Sequence, residues 1–155
     1  MSLHIDYIQT GIAAADRGEA IAAAAAPLLK NRSIDQTYLK AVLEREAAFP
    51  TGLPTAVGVA IPHAAPEGVF SEAVSMVTLK APVSFQAMGA PEEQVPVSIV
   101  FLLAIKDGEA QLETLQQLVA IIQDEMVLHK IMHAKTPEKV YNLFKEFTHE
   151  RKCNQ

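Results

Sequence analysis

The spacing of apolar and polar positions sorts the chain into strands and helices. Residues 5–13 mix Ile, Tyr and Thr with small residues and predict a first strand or extended arm. Asp16-Arg17-Gly18-Glu19 places an acceptor three residues before a glutamate, as a capping box does. The Ala-rich run at 20–26 then favours a helix, and Pro27 is expected to kink or shorten it. Asn31-Arg32-Ser33 is a break. Asp35 suits the N-cap of a second helix reaching about Ala47, with Tyr38, Leu39, Val42 and Leu43 at helical spacing. That helix must end before Pro50, because the residue before a proline avoids helical angles.

Thr51-Gly52-Leu53-Pro54 has turn composition. Residues 57–61 form a short apolar run, a strand that stops at Pro62 and presents His63, and a loop follows at 64–68. Residues 73–79 predict a second central strand. Residues 82–85 predict a short edge segment, since proline in a sheet is confined to edges and bulges. Residues 87–93, with a glycine, a proline and two acids, predict a loop. The most apolar stretch, 95–105, is rich in β-branched residues and fits a strand buried on both faces. After Lys106-Asp107-Gly108, residues 109–123 place Leu112, Leu115, Leu118, Val119 and Ile122 on one helical face. A short helix is expected at 126–133. A last helix opens at Thr136-Pro137-Glu138, with N-cap, proline and acid in the favoured places, and buries Val140, Leu143, Phe144 and Phe147. From His149 onward the chain reads as a polar tail.

Two helices, three strands and three helices, with a strand in front, imply a three-layer α/β/α domain around a mixed sheet. The order is not a regular β–α alternation, which argues against a simple parallel doubly wound sheet. There is no repeat or linker, so residues 1–150 read as one domain and 151–155 as its tail.

Composition narrows the function classes. Half of the 155 residues are hydrophobic and tryptophan is absent, so the core should be aliphatic. A net charge of −5 disfavours general nucleic-acid binding. The single cysteine, Cys153, excludes an intramolecular disulfide and reads as a free thiol in a reducing compartment. Residues 1–6 lack the basic and apolar regions of a signal peptide. The uncharged apolar runs at 20–29 and 94–105 fall short of the roughly 20 residues of a membrane helix. The expectation is a cytoplasmic protein with no membrane insertion.

Few residues carry recognisable chemistry. His63 stands at a strand end, where sites in α/β sheets tend to lie, and imidazole serves as nucleophile, base or ligand. Spacing alone leaves open an inert loop histidine. His129 and His133 are four apart on one helix, but they lack the glutamate of the metalloprotease pattern and any third ligand nearby, so no metal is expected. His4 and His149 lie near the ends and read as solvated. Glu44, Glu46, Glu92 and Glu93 read as solvated charges rather than paired catalytic carboxylates. No phosphate loop, dinucleotide fingerprint or nucleophile elbow is present, so no cofactor is expected.

Arg45-Glu46-Ala47-Ala48-Phe49-Pro50-Thr51-Gly52-Leu53, followed ten residues later by the Ile61-Pro62-His63 segment, resembles a known family. The chain is similar over nearly its whole length to the enzyme IIA domain of the bacterial sugar phosphotransferase system, of the fructose/mannitol/galactitol type. Pro82-Val83-Ser84-Phe85, the apolar strand and the Leu-rich helix after it extend the match. The resemblance implies that His63 is the phosphorylated histidine and Arg45 the family's conserved arginine, with Thr51 in support. It implies a phosphoryl group taken from the histidine-containing phosphocarrier protein (HPr). The group would pass to a cysteine of an enzyme IIB domain, and through it serve the membrane component IIC. Fructose- and mannitol-type relatives carry a second histidine where this chain has Gln111, which points to the galactitol-like subgroup. Two other outputs compete: the regulatory nitrogen-related branch, acting by phosphorylation-dependent binding, and a plain interaction module with an inert His63.

Overall fold

The computed structural model describes residues 3–153, with side chains through residue 148, so the expectations for Cys153 and the His149 side chain lie outside the described residues, as do Asn154 and Gln155. The elements are β1 (Leu3–Ile12), α1 (Arg17–Lys30), α2 (Gln36–Ala48), β2 (Gly52–Leu53), β3 (Gly58–Ala60), β4 (Ala73–Ala87), β5 (Ala90–Ala104), α3 (Gly108–Ile122), α4 (Glu125–His133) and α5 (Pro137–Cys153). The sheet is mixed. β4 has parallel β1 on one side and antiparallel β5 on the other, and β3 runs parallel to β5. Short β2 pairs antiparallel with β3 and touches the far end of β4, where Gly52 faces Ala87.

The alternation along β5 explains its unbroken apolar run. Val100, Leu102 and Ala104 join the core under α1 and α2, together with Ile21, Leu28, Tyr38 and Val42. Ile99, Phe101, Leu103 and Ile105 face the opposite core with Leu118, Ile121, Leu128, Ile131, Val140 and Phe144. A strand covered on both faces has no polar side to show. The three-layer, mixed-sheet architecture expected from the pattern is the one found.

Several boundaries differ for identifiable reasons. Pro27 neither ends nor shortens α1, which runs to Lys30. The carbonyl that a proline leaves unpaired belongs to the residue four before it, here Ala23, and Gln9 Nε2 donates to that oxygen at 2.7 Å. Residues 73–79 and 82–85 are one strand, β4, and Pro82 sits in the irregular stretch between the pairs Thr78–Ile99 and Val83–Val97. The loop expected at 87–93 is a tight hairpin at Met88-Gly89. Gly89 takes φ +76°, and β5 already begins at Ala90. The turn expected at 51–54 contains β2, where Gly52 lies against the Gln86 carbonyl so closely that a Cβ would be 2.6 Å from its oxygen. On α3 the buried residues are Thr114, Leu118, Ile121 and Ile122, leaving Leu112 and Val119 exposed. α5 continues to Cys153, past the point where the polar tail was expected to begin.

Candidate active site

The site is built where α2 ends and β3 ends. Asp35 caps α2 by accepting from Tyr38 N–H at 3.1 Å. The helix then carries Tyr38, Val42 and Glu46 along its buried side. Phe49 closes it, donating its N–H to Arg45 O, and Pro50 turns the chain toward Thr51. β3 delivers Ile61 and Pro62, both buried, and then half-buried His63.

Three ties fix the His63 segment. Leu103 N–H of β5 donates to Pro62 O at 3.2 Å. Ala64 N–H donates to the Tyr38 hydroxyl at 3.2 Å. That hydroxyl in turn donates to Leu103 O. The loop after His63 is held against the start of α2, where Asp35 N–H donates to Gly68 O and Phe70 N–H to Ser33 O. The ring is oriented by its own backbone, with Nδ1 lying 2.8 Å from Ile61 O. A carbonyl can only accept, so Nδ1 carries a proton, and in the neutral ring Nε2 then holds the lone pair.

Burial pushes the Tyr38 phenol from 10.0 up to about 12, against opposing pulls from the Ala64 N–H and the Arg45 charge. The unfolded chain therefore loses this proton first, and stability falls as pH rises from 10 toward 12, by on the order of 2 kcal/mol. Urea midpoints measured across that range should fall for the wild type. Tyr38→Phe should lack this part of the loss, and parallel pH curves for the two proteins would refute the assignment.

Thr51 and Glu46 form the buried floor. Thr51 N–H donates to Glu46 Oε1 at 2.8 Å, and the Thr51 hydroxyl donates to Oε2 at 2.8 Å. The same hydroxyl accepts from Ile61 N–H at 3.2 Å. Glu46 is 2% exposed, so it is not the solvated charge its neighbours suggest, whereas Glu44, Glu92 and Glu93 are exposed. Burial pushes its carboxyl up, and the two Thr51 bonds, Arg17 and His63 pull it down.

Arg45 is exposed, with Cζ 5.2 Å from the centroid of the Phe49 ring. Among the described residues no carboxylate pairs with it, which leaves its planar donors available. Its charge acts on the Tyr38 phenol and favours the ionised form. Gln111 is half-buried in the first turn of α3, its N–H bonded to Asp107 O, and no hydrogen bond joins its side chain to His63 or Arg45. The structure thus joins His63, Thr51 and Glu46 in one network through Ile61, and gives neither Arg45 nor Gln111 a hydrogen bond to it. Glu46 and Tyr38 were not singled out as site residues. The signal for Glu46 lay inside the quoted motif, directly after Arg45. His129 and His133 are exposed, engaged with Glu125 and with the His129 carbonyl respectively, and no group able to hold a metal occurs among the described residues.

His63 is thus a half-buried histidine at a strand end with Nδ1 held by the Ile61 carbonyl, and Arg45, near the end of α2, has no carboxylate partner among the described residues. Residues 1–147 match the family described as phosphoenolpyruvate-dependent sugar phosphotransferase system, EIIA 2, and the chain belongs to that family. It is therefore a phosphotransferase component. The ascorbate-specific EIIA component of Escherichia coli K12 is 30% identical over 71% of this chain and 70% of its own. The galactitol-specific EIIA component of Escherichia coli O6:H1 is 27% identical over 81% and 84%. In three dimensions the chain is similar to the mannitol IIA solved in complex with phosphorylated IIB from Escherichia coli, with a TM-score of 0.77 at 24% identity over 94% of this chain and 98% of that one. No described helix is long and apolar enough to cross a membrane.

Proposed function

We propose that His63 accepts a phosphoryl group on Nε2 from the phosphocarrier HPr and passes it to a cysteine of an enzyme IIB partner. Residues 1–150 would act as one cytoplasmic IIA unit in the uptake of a galactitol-like solute. The observation that carries this reading is the 2.8 Å contact of His63 Nδ1 with Ile61 O. In the first step the Nε2 lone pair forms a bond to phosphorus while the donor's nitrogen–phosphorus bond breaks, its electron pair staying with the donor. The ring gains positive character, which the Nδ1–H bond to the Ile61 carbonyl stabilises. In the second step a thiolate attacks phosphorus and the electron pair returns to Nε2.

Transfer of this kind asks mainly for positioning and for donors facing the phosphoryl oxygens. Arg45 supplies such donors. Exposed Phe49, next to the site on α2, and exposed Phe70, on the loop after His63, offer apolar contact to partners that dock and leave. The partner IIB would in turn serve a membrane IIC. The ascorbate-specific relative supports a second reading of the cargo as ascorbate. IIA itself does not contact the cargo in either case.

The test is a reconstituted relay of phosphoenolpyruvate, enzyme I, HPr and this protein, followed by intact mass. An added phosphoryl group, stable in alkali, lost in acid and located on Nε2 by NMR, is the expected result. A folded protein that gains no mass from a cognate HPr overturns the proposal. Gln111 is assigned a donor role toward a phosphoryl oxygen. A hydrogen bond to a charged acceptor contributes about 1.5–3 kcal/mol, so Gln111→Ala should slow transfer by about tenfold or more. Unchanged rates in both steps would remove Gln111 from the site.

A further inference from the structure

A buried carboxylate with no solvent and no full cationic partner is costly to keep, yet Glu46 holds that place at the floor of the site. Its oxygens accept the Thr51 N–H and hydroxyl. A hydroxyl has one proton, so with that proton committed to Glu46 the Thr51 oxygen presents its lone pairs to Ile61 N–H at 3.2 Å. Ile61 is the residue whose carbonyl orients the His63 ring. The carboxylate also lies near enough to His63 for their charges to interact, and Arg17, which donates to Gln86 Oε1 at 2.9 Å, acts on it from α1.

We propose that Glu46 is a positioning residue for phosphoryl transfer: it orients the Thr51 hydroxyl, Thr51 fixes residue 61, and the Ile61 carbonyl then holds the imidazole by Nδ1–H with Nε2 free. The proposal rests on the reading of His63 as the acceptor. Neither Glu46 nor Thr51 touches the reacting atoms in this scheme, and each acts through the tautomer and angle of one ring. Isolated imidazole side chains exchange between both neutral tautomers, so holding one of them requires a fixed acceptor.

The test reads the ring directly. ¹⁵N spectra of histidine-labelled protein, with the His63 signals assigned by comparison with His63→Ala, report the Nδ1–H and Nε2–H forms. The wild type should show Nδ1–H. In Glu46→Gln, which keeps the shape but removes the charge and turns an N–H toward the Thr51 oxygen, the signals should move toward the Nε2–H form. Phosphorylation by HPr should slow roughly 10- to 100-fold, as misplacement of a reacting group does. Thr51→Val should behave alike and Thr51→Ser should restore both readouts. This pair decides the matter where Glu46→Gln does not fold. Folded Glu46→Gln and Thr51→Val proteins with wild-type ring signals and wild-type rates would overturn the proposal. A wild type that shows the ring signature, loses it in the variants and yet takes no phosphoryl group would remove the acceptor reading and leave the positioning effect supported.

Discussion

His63→Ala is expected to fold and to take up no phosphoryl group from HPr. The side chain is half-buried and makes one hydrogen bond, to the Ile61 carbonyl, so its removal costs that one bond, on the order of 1–3 kcal/mol, and leaves the core packing in place. Among the described residues, His4, His129 and His133 are exposed and occupy other parts of the molecule, so none replaces it. If Arg45 meets the phosphoryl oxygens as proposed, Arg45→Ala should retain the acceptor and slow transfer by roughly 10²- to 10³-fold, as removal of a transition-state donor does. Arg45→Lys should fall between, because an ammonium keeps the charge without the planar fork. Samples quenched in alkali at timed intervals and weighed intact give all three rates. Phosphorylation of His63→Ala at the wild-type rate would move the acceptor elsewhere, and an Arg45→Ala rate equal to wild type would remove the arginine from the mechanism.

The distance over which a signal acts explains what could be seen in the sequence. The strand at 95–105 was legible because burial on both faces leaves a local, unbroken apolar run. The caps at Asp16 and Asp35 were legible because each bonds an N–H three residues on. Residues 87–93 looked like a loop because the exposed side chains at 91–93 lie on a hairpin arm, and pairing across the hairpin is invisible to local composition. Pro27 misled because the atom that satisfies the freed carbonyl is on Gln9, in another element. Family resemblance brought His63, Arg45, Thr51 and Gln111 into view. Glu46 stayed hidden because a glutamate between an arginine and alanines near a helix end looks solvated. Its partner Thr51 lies across a proline turn, and the strand that seals it arrives ten residues later. The identity of the free ring nitrogen depends on one backbone carbonyl and has no sequence signature.

Gly58→Ala is expected to cost about 3 kcal/mol of stability or more, the upper part of the range for overpacking. A Cβ at this position would lie 1.9 Å from Pro96 O, 2.9 Å from Pro96 C and 3.2 Å from Val97 Cα. All three are backbone atoms of β5, to which β3 is paired, so no side chain can swing aside and the strands must part. The damage should not stay local. β3 leads directly into Ile61, and the parting of β3 from β5 pulls on the Pro62 carbonyl bonded to Leu103 N–H and on the ring held behind it. Transfer should therefore fall along with stability. Gly108→Ala is the control. Gly108 opens α3 in ordinary helical geometry with nothing within 4 Å of an added Cβ, so the change should be neutral or stabilise by a few tenths of a kcal/mol. Urea midpoints for the two variants beside the wild type give the comparison. A Gly58→Ala protein as stable as Gly108→Ala would mean that β3 does not lie against β5 as closely as the pairing of Gly58 with Val97 requires.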